Sequence, residues 1–170
     1  PVEHYPNEMA FKVPEDVYDE ICEDLNIDLI VTPFDENSAD FISTLNLSAI
    51  KIASADMTNL PLIEKCASFN LPLIISTGMW SHDDIKECVN FYKKIGIDYS
   101  LLLTNSTYPT PFETINLEYL IELKKLTNRV GYSGHERGIH IPVAAVALGA
   151  RVVEKHITLD RYQDGPDHKA

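Results

Sequence analysis

Six short runs of β-branched and aliphatic residues recur along the chain, each closing on a hydroxyl or an imidazole: DLIVT at Thr32, AIKIAS at Ser54, PLIIST with Ser76, SLLLT at Thr104, RVGYS at Ser133 and RVVEKH at His156. They return every 22 to 29 residues. The intervals carry segments of helical period, among them NLPLIEKCASFN, HDDIKECVNFYKKIG and NLEYLIELKKLTN, whose apolar positions recur three and four residues apart. Strands that are apolar along nearly their whole length and alternate with helices predict a parallel sheet covered by helices. A parallel crossover needs about a dozen residues or more, and its helix buries the sheet.

Such a sheet is either open and doubly wound or closed as a (β/α)8 barrel. No Gly-x-Gly-x-x-Gly follows any of the strands, and polar residues stand at the C-terminal end of all six instead of at one switch point. The pattern therefore predicts an α/β fold of the (β/α)8 TIM-barrel type. A complete barrel takes eight units and roughly 250 residues, so six units in about 170 residues predict a partial barrel over residues 1–170, with the first two units missing upstream. The helix-like PEDVYDEICEDL precedes the first strand, and no linker or low-complexity tract interrupts the chain.

A net charge of −12, from 14 basic against 26 acidic residues, argues against a nucleic-acid partner, which needs clustered cations to displace counterions. No apolar run approaches the ~18 residues of a membrane span. Cys22, Cys66 and Cys88 lack Cys-x-x-Cys spacing and fall in helical segments, the pattern of reduced core thiols. A cytoplasmic location without membrane association is the expectation.

In a barrel the C-terminal strand ends converge on one mouth, so Thr32, Lys51, Ser54, Asp56, Ser76, Ser106, Ser133, His135 and His156 are expected around a single pocket. His135, just past one strand end, and His156, at the next, could bind a common divalent metal; two neutral imidazoles with oxygen ligands suit Mn2+, Fe2+, Co2+ or Zn2+. Each could equally satisfy a nearby carbonyl. Lys51 lies in a strand too apolar to carry a charge without a partner. With the hydroxyls it makes a candidate phosphate site; the alternative is a Lys51–Asp56 ion pair beside helix-capping serines. Ser81 reads as the N-cap of a helix that starts with Asp83 and Asp84. Tyr108 precedes Pro109 in a stiff loop that could present it to a ligand, or the ring could simply pack. Asp167, in GPDHK, is an acceptor suited to sugar hydroxyls, though on its own this segment is only a turn.

KIASADMTNLPLIE, LIISTGM, NSTYPTPFETINL, VGYSGHERG, AAVALGARVVEKHITLD and GPDHKA together resemble the sialic acid synthase (N-acetylneuraminate synthase) family. The resemblance runs from Thr32 to the end of the chain. It implies a (β/α)8 barrel that condenses phosphoenolpyruvate with an N-acetylmannosamine-type sugar. A divalent metal is also implied, Mn2+ first, with Mg2+ or Co2+ as alternatives. His135 and His156 resemble the metal ligands; Thr32, Lys51, Ser54, Ser76, Ser106 and Ser133 the phosphoenolpyruvate site; Tyr108 and Asp167 positions near the sugar. Ser54-Ala55-Asp56 stands where many bacterial members have Ser-Gly-Glu, but some relatives, animal enzymes among them, also carry Asp there, so the resemblance implies Asp56 as the candidate acid/base or a contact to a metal-bound water. The family's first two strands, with their Glu-Ile-Gly motif, and its C-terminal antifreeze-like domain are not matched. The resemblance thus implies that this segment alone is inactive and that the whole protein is a domain-swapped homodimer. Legionaminic or pseudaminic acid synthesis is the alternative within this chemistry, and His168 after Asp167 looks more like the sialic and legionaminic types. A catalytically silent barrel acting as a binding module is the alternative outside it.

Overall fold

The computed structural model describes residues 26–170. PEDVYDEICEDL, Cys22 and His4 lie outside the described residues. Strands β1 (Leu29–Val31), β2 (Leu47–Ile52), β3 (Leu73–Ser76), β4 (Tyr99–Thr104), β5 (Val130–Gly134) and β6 (Val152–Lys155) form one parallel sheet in sequential order. Helices α1 (Glu36–Ile42), α2 (Leu60–Ala67), α3 (His82–Ile95), α4 (Tyr119–Leu126) and α5 (His140–Ala147) follow the first five strands. Sequential parallel order with right-handed twist curls the sheet into a half-barrel, the incomplete (β/α)8 architecture that the strand spacing predicts.

Register divides the sheet into two faces. Lys51 lies opposite Ile74, Ser76 opposite Leu102, Thr104 opposite Ser133, and Ser133 opposite Glu154. Because successive side chains alternate across a strand, these residues share the concave face. The intervening residues Ile50, Ile52, Leu73, Ile75, Leu101, Val130 and Tyr132 turn toward the helices and form the core with Leu62, Ile63, Ile85, Val89, Leu120 and Leu123. The core thus lies between sheet and helices, and the concave face carries the polar Lys51, Ser76, Thr104, Ser133 and Glu154 beside the apolar Ile74 and Leu102.

Local chemistry sets the helix ends. Ser81 accepts from the Asp84 amide while the Asp84 carboxylate accepts from the Ser81 amide, a capping box that also holds the Asp84 carboxyl below its usual range. At the other end Gly96 takes φ +74 after Lys93 and Lys94, a left-handed stop beside cations that suit the negative end of the dipole. Ser81 therefore caps α3 as its sequence predicts. By contrast α5 reads HIPVAAVA, apolar on every side, so no amphipathic period marks it.

Candidate functional site

Three strands build the first part of the site. From β2, the Lys51 ammonium is buried, donates to the Ile52 carbonyl at 2.9 Å and lies 3.6 Å from Glu154 Oε2 on β6. From β5, Ser133 Oγ donates to Glu154 Oε1 at 2.8 Å. Burial pushes the Lys51 pKa down, with Glu154 opposing the shift. The partner of Lys51 is thus Glu154 and not Asp56. Asp56 sits in a single 3-10 turn, Ser54–Asp56, where its carboxylate accepts from the Asn59 side chain at 3.1 Å. Glu154 went unmarked in the sequence because RVVEKH carries several charges and the Glu154 side chain stays 43% exposed, so nothing there singles out one residue as the partner of Lys51.

The second part lies over β3 and β4. The Gly78 amide donates to Ser54 Oγ at 3.1 Å. A Cβ at Gly78 would stand 2.5 Å from Ser106 Oγ and 2.9 Å from Ser54 Oγ, so only glycine allows these two hydroxyls to close on the same backbone. Trp80 Nε1 donates to the Ser54 carbonyl at 2.6 Å and fixes that turn. Ser76 Oγ is buried without a hydrogen-bond partner among the described residues, an unusual state for a hydroxyl unless a ligand completes it. Beside these residues lies a cavity of about 400 Å3 lined by Gly78, Trp80, Asn105, Ser106 and Tyr119. Thr32, half-buried, follows β1, and alternation from Ile30 puts it on the concave face.

The third part holds the imidazoles. His135 Nδ1 lies 2.7 Å from the Asn105 carbonyl, which assigns the proton to Nδ1 and leaves Nε2 with its lone pair. Burial holds the His135 pKa down, so the ring is neutral at pH 7 and suited to metal. Tyr108 stacks on His135 with centroids 4.0 Å apart, and its Tyr108–Pro109 bond is cis. The His156 ring lies 5.3 Å from His135, and its Nε2 is 3.9 Å from Asp167 Oδ1. A cavity of about 190 Å3 lined by Ser133, His135, Glu154 and His156 joins the imidazoles to the Lys51 cluster.

Two imidazoles on adjacent strand ends, one with its tautomer fixed by a carbonyl, fit a divalent ion. Among the described residues no group of three His, Cys, Asp or Glu side chains could enclose one. Such an ion would take its remaining ligands from water or substrate, the open arrangement of a catalytic centre. The other histidines behave differently: His82 Nδ1 meets the Tyr119 hydroxyl at 2.9 Å, His140 packs on Phe112, and His168 meets Thr158 Oγ1 at 2.6 Å. No helix of the described residues is long and apolar enough to cross a membrane.

Comparison with known proteins gives a consistent result. The chain is 47% identical over 149 residues to the N,N'-diacetyllegionaminic acid synthase of Campylobacter jejuni, covering 85% of this chain and 45% of that protein. It is 44% identical over 151 residues to the N-acetylneuraminate-9-phosphate synthase of Drosophila melanogaster, covering 87% of this chain and 41% of that one. Among solved structures, the N-acetylneuraminic acid synthetase of Leptospira borgpetersenii superposes with a TM-score of 0.86 at 34% identity, covering 93% of this chain and 57% of that one. The chain therefore spans less than half the length of these two relatives. The model of the NeuB family matches residues 8–170, and the chain belongs to that family.

Proposed function

We propose that the intact protein containing this chain joins phosphoenolpyruvate to the open-chain aldehyde of an N-acylated amino sugar, with water, giving a nine-carbon 2-keto acid and inorganic phosphate. The observation that carries this reading is the proximity of a buried cation among hydroxyls to a pair of imidazoles on adjacent strand ends. Lys51, Ser54, Ser76, Ser106 and Ser133 supply one positive charge and several donors for a phosphate ester, with Thr32 at the rim. The unpartnered Ser76 hydroxyl and the glycine-only approach at Gly78 both favour an anion there.

His135 and His156 would hold a divalent ion, Mn2+ first, which when bound would supply Lewis-acid polarisation of the aldehyde oxygen. Carbon 3 of phosphoenolpyruvate attacks the aldehyde carbon, water adds at carbon 2, and the C–O bond to phosphate breaks. Lys51 and the hydroxyls stabilise the charge that gathers on the departing phosphate. Asp56 is the candidate group to take the proton of the attacking water. Tyr108 shields the His135 ring from solvent, and Asp167 receives sugar hydroxyls from the far side of His156.

N-acetylmannosamine or its 6-phosphate is the first candidate sugar, and the precursor of legionaminic acid is the second, since relatives of both kinds match at similar identity. Carbon 6 of the sugar becomes carbon 9 of the product, because three carbons are added ahead of carbon 1. A sugar phosphorylated at carbon 6 therefore yields a 9-phosphate. Turnover of each sugar with phosphoenolpyruvate, read as phosphate release, tests the reading. Sugar-dependent release supports it; no release with any of them leaves a binding module.

A further inference from the structure

Glu136 follows His135 directly, is fully buried, and takes no part in the scheme above. Its Oε2 accepts from the Tyr132 hydroxyl at 2.7 Å, and its Oε1 lies 3.5 Å from Lys155 Nζ. The Lys155 ammonium also donates to the Glu136 carbonyl. Tyr132, Gly134 and Lys155 alternate with Ser133 and Glu154, so this cluster sits on the helix-facing side of the sheet, behind the phosphate cradle. Gly134 makes it possible. A Cβ there would stand 2.6 Å from both Glu136 Oε2 and Tyr132 Cε1 and 2.9 Å from Glu136 Oε1, so any side chain would drive the folded-back carboxylate out.

We infer that Glu136, paired with Lys155 and anchored by Tyr132, is a positioning group that sets the separation of His135 and His156. The pair joins the residue after one imidazole to the residue before the other, across the ends of β5 and β6. A buried ion pair is a poor source of stability, since desolvation cancels most of its attraction, whereas a fixed geometry is what it supplies well. The inference rests on the reading of His135 and His156 as metal ligands. Partners that orient metal-binding histidines govern affinity without touching the ion.

The test is Mn2+ titration of the intact protein by calorimetry, for wild type, Glu136→Gln, Lys155→Gln and the double variant, with melting temperatures alongside. Glu136→Gln keeps the shape and the Tyr132 hydrogen bond but ends the pairing, so the Mn2+ dissociation constant is expected to rise about 10- to 100-fold. The double variant is expected to match the worse single one. Additive losses, or lower melting temperatures with Mn2+ affinity unchanged, would overturn the inference and leave a structural pair. If the wild type binds no Mn2+, the metal reading itself fails. The positioning claim is then decided on metal-free protein from the histidine 15N resonances, which Glu136→Gln is expected to shift for both His135 and His156. Unchanged resonances would overturn it even there.

Discussion

Lys51→Met separates a functional cation from a structural one. The ammonium lies 3.6 Å from Glu154 Oε2, which corresponds to about 4 to 5 kcal/mol of attraction at an effective dielectric of about 20. Against this stands the loss of water around a side chain that is only 10% exposed, which costs several kcal/mol for a buried ion. The lowered pKa of Lys51 says which effect wins: burial outweighs the attraction of Glu154. Methionine fills nearly the same volume without a charge. Glu154 is not stranded by the change, because its side chain is 43% exposed and keeps the Ser133 hydroxyl. Unfolding by urea should therefore give a stability within about 1 kcal/mol of wild type, or slightly above it. Calorimetric binding of phosphoenolpyruvate should weaken by about 10- to 150-fold, the loss of one charge-assisted hydrogen bond. A stability loss of about 3 to 5 kcal/mol with binding intact would refute this reasoning and make the ion pair structural.

Gly78→Ala places a methyl between the Ser54 and Ser106 hydroxyls, which can rotate away, so stability should fall by no more than about 1 kcal/mol while KM for phosphoenolpyruvate rises about tenfold. An unchanged KM would remove Gly78 from the anion site. At Gly131 the obstacle is rigid: a Cβ would collide with Leu102 and stand 2.5 Å from the Val152 carbonyl, so Gly131→Ala should cost about 2 to 3 kcal/mol in a urea titration. A cost near zero would contradict the β4–β5–β6 packing. Burial pushes the Cys66 thiol from 9.0 up to about 11, so the native state keeps a proton that the unfolded chain gives up. Its contribution is present below about pH 9 and is lost as pH rises through about 11, a total of about 1 to 3 kcal/mol. The stability difference between wild type and Cys66→Ala should narrow over that window, and a constant difference would show that the thiol keeps its ordinary pKa.

The parallel half-barrel was legible because buried strands leave continuous apolar runs, and α2, α3 and α4 carry an amphipathic period. Helix α5 left no such trace, being apolar all round. Within the site, the strand-end rule brought out Ser133, His135 and His156, which line one cavity, and Lys51, which meets it through Glu154. Ser106 lines a second cavity, so the single pocket expected from the strand ends is divided in two. The rule could not show what each side chain touches. Lys51 chooses Glu154 on a strand over a hundred residues away instead of nearby Asp56, because register and alternation, not sequence distance, put two side chains on the same face. The role of Gly78 depends on atoms that approach it from Ser54 and Ser106 on other strand ends, and that of Gly134, at the end of β5, on a carboxylate that folds back from Glu136; a glycine in the sequence gives no sign of either.

The most direct test is phosphate release from phosphoenolpyruvate by the intact protein, with and without N-acetylmannosamine, its 6-phosphate or the legionaminic precursor, in Mn2+ and then in excess EDTA. Release that requires one of these sugars and stops with EDTA is the predicted result. Release that needs no sugar, or none under any condition, would contradict the condensation and leave the half-barrel as a site that binds without turnover.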